Sequence, residues 1–262
     1  MSRWIKTALL LTSSFAVLGS FASSFAATSS TDQDWIPLFN GKNLDGFYTF
    51  LPSKGVNSDP EGMFKAENGM IHIFDIPVTD QKHEFGYICT EKSYKNYRLR
   101  FQYKWGQKKF APRDKARRDS GCLYHMTGPD KVWPRSIECQ VMENDTGDVF
   151  VVGGNLSVTT KVESLDPKDK VFSPLGTSAT LTSNNARVVR NPQADTLDDW
   201  NTVEIVVREN TAVHTVNGQT NNRLTDIRFI DTNQPLSEGK ILFQAEGAEV
   251  FYRNIEIKPL NP

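Results

Sequence analysis

Polar side chains alternate with apolar ones in residues 137–142, IECQVM. Successive side chains of a strand point to opposite faces, so Glu138 and Gln140 would lie together on the face that turns away from the core. Acidic residues are depleted in strands, although an ordinary exposed glutamate is the alternative at this position. A carboxylate beside an amide can bind a polar ligand and transfer a proton. We therefore predict that this strand forms the floor of a site.

Further groups suited to proton transfer surround this strand, between Arg117 and Gly154. The candidate catalytic residues are Glu138, His125, Asp119 and Glu143. Histidine is the usual proton shuttle near neutral pH, but His125 is equally consistent with a hydrogen-bonded structural role. The turn that contains Asp145 and Asp148 has oxygen ligands of the kind that Ca²⁺ prefers. It lacks the full ligand spacing of a calcium loop, and a plain turn is the simpler explanation.

The elements around these residues read as short strands. Residues 97–105, YRLRFQYKW, alternate apolar and polar side chains over nine positions, which is typical of a half-buried antiparallel strand. Asn68-Gly69 and Asn217-Gly218 each separate two alternating runs and predict hairpins. Residues 155–199 are polar and irregular, with brief strand-like pieces such as 157–162. Many short strands with turns between them predict an all-β fold, a sandwich of two antiparallel sheets.

Composition and charge exclude several classes of partner. The 262-residue chain has a formal net charge of −1 and is 38% hydrophobic, which permits a full core and does not indicate a nucleic-acid or anionic-membrane partner. The basic run between Lys108 and Arg118 contains one aromatic residue, Phe110, and is explained by a solvated loop.

The N-terminus has the pattern of a secretory signal. Arg3 and Lys6 precede an apolar run that ends in small residues, so we expect cleavage after Ala26 or Ala27. The predicted organisation is a signal peptide at 1–26, a disordered mature terminus at 27–34 and one β-sandwich domain at 35–262, with no membrane span after cleavage. The mature protein is expected in the periplasm or outside the cell.

An exported chain can form disulfides, but it has three cysteines, an odd number. Cys122 and Cys139 fall on neighbouring strand candidates and could face each other. Three small buried hydrophobic residues are the simpler interpretation.

A set of motifs occurs in order from residue 35 to residue 259. They are FNGKNLDGF, YRLRFQYKW, RDSGCLYH, WPRSIECQ, WNTVEIVV, VNG and GKILFQAEGAEVFYRNIEI. Together they resemble the 3-keto-disaccharide hydrolase domain family. The resemblance implies a concanavalin A-like jelly-roll sandwich, of the lectin/glucanase type, that acts on sugars whose C3 hydroxyl has been oxidised to a ketone. Asp119-Ser120-Gly121 stands where the family often has Asn-Ser-Gly.

Such a ketone makes the proton on C2 of the sugar acidic, so that an enolate can form and expel the C1 substituent. This route needs a base, a stabiliser of the enolate oxygen and an acid for the leaving group. The central block contains all three: Glu138 or Asp119 as base, Arg118 or His125 at the oxyanion, and Glu143 or His125 as acid.

A second interpretation uses the strand differently. Residues 138–143, ECQVME, look like the E-x-D-x-x-E strand of retaining glucanases, in which a bulge brings the last glutamate to the face of the first. Glu138 and Glu143 would then act as nucleophile and acid/base. Gln140, in place of the middle aspartate, weakens this match.

Several residues are suited to holding a sugar. The candidate substrate-binding residues are Arg118, Ser120, Trp133, Gln140, Gln244 and Glu246. Trp133 lies in a loop with Gly and Pro, where it could form a platform under a sugar ring or fold back onto the core. The leading hypothesis is thus an exported hydrolase or lyase of glycosides, and its rivals are a non-catalytic carbohydrate-binding module and a structural surface protein. No cofactor other than the calcium ion considered above is predicted.

Overall fold

The structure is a computed structural model, and it describes Met1 and residues 34–166, 170–182 and 186–261. The predicted signal peptide and mature terminus lie outside the described residues, apart from Met1 and Asp34. The described strands belong to a compact unit that spans Gln33–Pro262. Within the described ranges, no helix is long and apolar enough to cross a membrane.

Strands make up the regular structure of the described chain. In chain order they are β1 (Ile36–Pro37), β2 (Phe47–Leu51), β3 (Gly55–Val56), β4 (Phe64–Glu67), β5 (Met70–Ile73), β6 (Gly86–Thr90), β7 (Tyr97–Lys109), β8 (Asp119–Thr127), β9 (Arg135–Met142), β10 (Val149–Val152), β11 (Leu156–Val162), β12 (Thr177–Thr182), β13 (Ala186–Val188), β14 (Asn201–Arg208), β15 (Thr211–Val216), β16 (Gln219–Phe229), β17 (Lys240–Ala245) and β18 (Ala248–Pro259).

The strands form two sheets. The ten-stranded sheet has the order β12-β11-β16-β15-β14-β7-β18-β5-β4, with β1 paired to β18, and the eight-stranded sheet has the order β13-β10-β9-β8-β17-β6-β2-β3. The ladders between these strands are antiparallel. This confirms the predicted all-β jelly-roll sandwich.

The core lies between the two sheets and is rich in aromatic side chains. Phe101 of the ten-stranded sheet meets Phe243 of the eight-stranded sheet edge to face, with 5.1 Å between ring centroids. Tyr252 packs on Phe243 with a centroid separation of 4.8 Å. All three are fully buried, and burial of a side chain of this size stabilises the fold by about 1.5–3 kcal/mol. The predicted alternation of β7 is confirmed, since its apolar positions face this core.

The two Asn-Gly pairs form hairpin turns as predicted. Asn68 and Gly69 connect β4 to β5, and Asn217 and Gly218 connect β15 to β16. Both residues of each turn have positive φ, between 47° and 80°. Asparagine and glycine tolerate this left-handed conformation at low cost, which explains why the turns form here.

Residues 155–199 are more regular than predicted. They contain β11 and β12 at one edge of the ten-stranded sheet and β13 at one edge of the eight-stranded sheet. Alternate side chains of β12 are exposed, so few apolar residues mark the strand. A strand at the edge of a sheet needs only a weak apolar pattern, and for this reason the sequence of these segments suggested a loop.

The three cysteines are buried free thiols. Cys122 of β8 lies directly opposite Cys139 of β9 in the ladder, as the strand pattern suggested. Both are part of the apolar core. They therefore act as small hydrophobic side chains in this structure.

Candidate active site

A cleft of about 280 Å³ lies on the outer face of the eight-stranded sheet, across β10, β9, β8 and β17. Its lining residues are Arg113, Trp133, Glu138, Gln140, Phe150, Val152, Gln244 and Glu246. A larger depression of about 350 Å³ lies between β1 and the end of β18. It has a mostly apolar lining and lacks the buried carboxyl groups of the cleft, so the cleft is the candidate site.

β9 forms part of the floor of the cleft. Ile137, Cys139 and Val141 belong to the core between the sheets. Glu138 and Gln140 project from the opposite face and line the cleft. The alternation of side chains along the strand therefore confirms the predicted orientation of this segment.

β17 supplies the opposite half of the floor. Its register with β8 places Phe243 opposite Cys122, which brings Gln244 beside Gly121. A Cβ atom on Gly121 would lie 2.0 Å from Gln244 Oε1 and 2.3 Å from Glu138 Oε1. The two side chains thus fill the space that Gly121 leaves open. The Ser120-Gly121 pair lies within strand β8.

A third acidic group stands behind the cleft wall. Asp119, the first residue of β8, is buried and forms a salt bridge with Arg113. The Asp119 carboxyl also lies within hydrogen-bonding reach of the Glu246 carboxyl. A hydrogen bond between two carboxyl groups requires a proton on one of them.

The environment raises the pKa of all three carboxyl groups. Burial, and then the charges of Asp119 and Asp148, raise the pKa of Glu138 to about 8. Burial raises the pKa of Asp119 to about 6, against the lowering effect of Arg113. Burial, and then the charges of Asp119 and Glu138, raise the pKa of Glu246 well above its usual range. At neutral pH the Asp119 side chain therefore carries the negative charge, while Glu138 and Glu246 hold protons.

Three polar atoms at the site lack a partner within the described structure. Gln244 Oε1, Arg113 Nε and Asp119 Oδ1 are buried and make no hydrogen bond to any described residue. Buried polar groups are normally paired, so unpaired acceptors and an unpaired donor at a cleft indicate contacts with a ligand.

Trp133 also lies at the cleft, which is the location needed for the first of its two predicted roles, a platform under a sugar ring. It belongs to the loop between β8 and β9, residues 128–134, which we call the β8–β9 loop. Its ring lies 6.2 Å from the ring of Phe85. Its indole lines the cleft and also packs on a small apolar cluster of the outer face.

His125 does not line the cleft. It occupies an irregular position of β8 between Tyr124 and Thr127, with φ 55°. Its ring is fully buried, its nitrogens have no partner within the described structure, and burial lowers its pKa to about 3. The imidazole is therefore neutral and lies away from the carboxyl groups.

Glu143 and Arg118 also lie outside the cleft. β9 ends at Met142 and does not continue through the predicted bulge, so Glu143 belongs to the following turn. Its carboxylate pairs with Arg118, whose guanidinium also donates to the carbonyl of Gly106 at 2.8 Å. The two side chains neutralise each other.

Ser120 faces the core side of β8. Its hydroxyl contacts the hydroxyl of Tyr252 at 2.7 Å and donates to the carbonyl of Gln244 at 2.7 Å. It therefore joins β8 to β17 and β18. The structure therefore places Ser120, a predicted substrate-binding residue, between the sheets and not at the cleft.

The two candidate calcium ligands, Asp145 and Asp148, are paired with arginines. Asp145 forms salt bridges with Arg117, Arg187 and Arg190, and Asp148 forms salt bridges with the last two. Three guanidinium groups already neutralise the two carboxylates, so these residues do not fit a cation.

Among the described residues, one other group has metal-ligand chemistry. Glu67, His72 and Asp75 hold three potential ligand atoms within 4.8 Å of one another on the ten-stranded sheet. Asp75 already pairs with Lys65 at 2.8 Å and with Lys108 at 3.4 Å. These ammonium groups occupy the place of a cation.

Sequence reasoning missed three lining residues. Arg113 belonged to a basic run that we interpreted as a solvated loop, and only the folded chain brings it to Asp119. Phe150 and Val152 lie on the outer face of β10, where the apolar run VFVV could have indicated a strand covered on both faces.

Comparison with known proteins agrees with the fold. Two solved proteins from Parabacteroides distasonis ATCC 8503, described as candidate glycosyl hydrolases, are similar to this chain, each with a TM-score of 0.52. Each match covers 87% of this chain, and the sequence identities are 21% and 16%. These matches cover 94% and 100% of the two solved chains. A Bacillus licheniformis β-glucanase matches with a TM-score of 0.47 and 15% identity, over 88% of this chain and 100% of that chain.

None of the curated proteins is a significant match. The family model described as "3-keto-alpha-glucoside-1,2-lyase-like domain" matches residues 34–258. This match confirms the resemblance that the ordered motifs indicated. The chain belongs to the family of 3-keto-alpha-glucoside-1,2-lyase-like domains.

Proposed function

We propose that this protein is an exported enzyme that cleaves the glycosidic bond of 3-keto-glycosides by elimination. The observation that supports this most directly is the pair of cleft-lining glutamates, Glu138 and Glu246, whose pKa values are both raised. The family membership supports the substrate class.

Glu138 is the proposed base. Its pKa of about 8 is close to the pH at which a base must accept a proton and release it again. In its ionised form it removes the proton from C2 of the sugar, which the neighbouring ketone makes acidic. The electron pair of the C2–H bond passes to the ketone oxygen, and an enolate forms.

Arg113 is the proposed stabiliser of the enolate. Its guanidinium lines the cleft, and its Nε–H has no acceptor within the described structure. A fixed cationic donor directed at a developing oxyanion lowers the barrier to its formation.

Glu246 is the proposed acid. Its pKa is raised well above its usual range, and Asp119 accepts its proton in a hydrogen bond. When the enolate re-forms the ketone, the bond between C1 and the glycosidic oxygen breaks. That oxygen leaves with the electron pair and takes the proton of Glu246. The sugar product has a C1–C2 double bond, to which water adds back.

Gln140, Gln244 and Trp133 are the proposed substrate-binding residues. Gln244 Oε1 is an acceptor without a partner and would bind a sugar hydroxyl. Trp133 would pack on one face of the sugar ring. In this arrangement Glu246 takes the role of acid for which the sequence suggested His125 or Glu143.

The test is cleavage of 3-keto-glucosides and of their unoxidised parents by the purified protein and its Glu138→Gln variant. Release from the keto substrate alone, with a loss of about 10²–10⁴-fold in the variant, supports the proposal. Cleavage of the unoxidised parents would favour a glucanase-like mechanism, now through Glu138 and Glu246. Binding without cleavage of either would indicate a carbohydrate-binding module.

Export is part of the proposal and has its own test. The charged start and small-residue end of residues 1–26 predict removal of that segment. N-terminal sequencing of the protein recovered from outside the cytoplasm should begin at Ala27 or Thr28. An intact N-terminus on the recovered protein would contradict it.

A further inference from the structure

The β8–β9 loop carries Trp133 to the cleft but is weakly attached through its backbone. The ladder between β8 and β9 ends with Thr127 opposite Arg135. In the described part of the chain, no hydrogen bond between main-chain atoms joins residues 128–134 to a sheet. Side chains must therefore hold the loop in place.

Asp130 makes the central contact of this loop. Its Oδ1 accepts a hydrogen bond from the hydroxyl of Tyr48 at 2.7 Å and another from the hydroxyl of Tyr87 at 2.6 Å. Tyr48 lies on β2 and Tyr87 lies on β6, so one carboxylate oxygen ties the loop to two adjacent strands.

The two tyrosines are fixed and remain protonated. Tyr48 is 7% exposed and Tyr87 is fully buried. Burial raises the pKa of both hydroxyl groups, so both are donors at neutral pH. Tyr87 also stacks on Phe50, with ring centroids 5.2 Å apart.

The loop makes further contacts, among them a hydrogen bond from the hydroxyl of Ser136 to the carbonyl of Pro134 at 2.8 Å. The Lys131 amide approaches the hydroxyl of Tyr87, and Lys131 Nζ lies 3.4 Å from the carbonyl of Gly153. Trp133 packs against the apolar cluster that contains Tyr48 and Tyr87. The indole therefore packs on the same apolar cluster that contains the two tyrosines that bind Asp130.

We propose that Asp130 is a positioning residue that holds Trp133 against the cleft through Tyr48 and Tyr87. The proposed functional consequence rests on the assignment of the cleft as a sugar site. Loss of Asp130 should release the loop and weaken ligand binding. The proton chemistry should remain, because Asp130 does not line the cleft and the three acidic groups lie on other elements.

The test compares Asp130→Ala, Asp130→Asn and a control, Asp226→Ala, which removes a surface salt bridge with Arg228 on the other sheet. The proteins are labelled with 5-fluorotryptophan, and the ¹⁹F resonance of Trp133 is identified by its loss in Trp133→Phe. Asp130→Ala should shift or broaden that resonance and leave those of Trp35, Trp105 and Trp200 unchanged. Asp130→Asn should preserve it, because the amide oxygen can still accept both hydroxyl groups.

Kinetics with a methyl 3-keto-glucoside supply the second readout. Asp130→Ala should raise KM about tenfold, which corresponds to about 1.4 kcal/mol of binding, with unchanged kcat and an unchanged pH profile. Tyr87→Phe, which removes one donor, should have a smaller effect in the same direction. It also serves as the test variant if Asp130→Ala fails to fold.

Two results would overturn the inference. One is a Trp133 resonance that does not move in Asp130→Ala, and the other is a resonance that moves while KM stays unchanged. If the wild-type protein does not act on the sugar, the proposed function fails, but the ¹⁹F spectra of the free protein still decide whether Asp130 positions Trp133.

Discussion

Glu138 of β9 and Gln244 of β17 approach each other above Gly121, the residue of β8 that lies between them. Their Oε1 atoms lie 2.3 and 2.0 Å from the position that a Cβ on Gly121 would occupy. The two oxygens are therefore within a few ångströms of each other. The absence of a side chain at residue 121 allows the strands on both sides to contribute to one polar floor.

Gly121→Ala should displace both side chains and reduce activity. The new methyl group would overlap with them, and overpacking of this kind costs about 1–3 kcal/mol. The matched control is Gly106→Ala, whose Cβ would lie 2.1 Å from Glu249 Oε2, away from the cleft. Urea denaturation should show a loss of stability in both variants, and kcat/KM should fall only in Gly121→Ala. Equal activity losses would contradict the proposed role of the cleft.

Glu246→Gln should affect substrates according to their leaving group. An amide cannot supply a proton, so cleavage of an alkyl 3-keto-glucoside should fall by about 10²–10⁴-fold. A p-nitrophenyl 3-keto-glucoside should retain most of its rate, because p-nitrophenolate leaves without a proton. Glu249→Gln, another buried glutamate that lies outside the cleft, is the control. A uniform loss with both leaving groups would argue against Glu246 as the acid.

Asp119→Asn should move the pH profile of kcat/KM. The ionised form of Glu138 is the proposed base, so activity should rise with pH through the pKa of about 8. After burial, the charge of Asp119 is the largest cause of that raised pKa. Removing this charge should shift the midpoint to lower pH by roughly one unit. The control is Asp226→Asn, on the other sheet, which should leave the midpoint in place. A midpoint that is unchanged in Asp119→Asn would show that the ionisation of Glu138 does not set the pH dependence of kcat/KM.

Ser120→Ala should reduce stability with little effect on catalysis. The hydroxyl of Ser120 lies between the sheets and contacts Tyr252, which would lose its partner. The expected cost is about 1–3 kcal/mol. Tyr252→Phe should cost a similar amount, and the double variant should cost less than the sum of the two, because both changes remove the same contact. A large loss of kcat/KM at unchanged stability would instead place Ser120 at the ligand.

His125→Asn should flatten the acid side of the stability curve. The pKa of His125 is about 3 in the folded protein, and an unfolded histidine has a pKa of about 6.5. Between these values the unfolded state binds more protons, so the unfolding free energy falls as the pH falls through this window. The contribution between pH 7 and pH 5 is about 2 kcal/mol. Asparagine tolerates the positive φ of this position.

The measurement for His125→Asn is the urea midpoint at pH 7 and at pH 5. The wild-type protein should lose more stability between these two conditions than the variant does. An identical loss in both proteins would show that His125 does not cause the acid sensitivity.

The local pattern of the sequence was sufficient for many of the strands and for part of the cleft. Alternation in β9 identified Glu138 and Gln140 as outward-facing, and the same rule applied to Gln244 in β17 and to Glu246, which follows it. The two Asn-Gly turns could also be predicted from the sequence, because both residues of each turn must adopt positive φ. Strand alternation and Asn-Gly turns depend only on residues that are close together in the sequence. They can therefore be predicted from a repeat of two residues or from a pair of turn residues.

The tertiary structure decided which of these residues meet. Asp119, at the start of β8, and Glu246, which follows β17, come close together because β8 and β17 are adjacent strands, although the two residues are far apart in the chain. Arg113 reaches Asp119 from an irregular loop, and Glu143 turns away because β9 ends one residue earlier. Raised pKa values arise from burial and from charges contributed by other strands. No local pattern contains that information, so the chemistry of the site became visible only after the chain was folded.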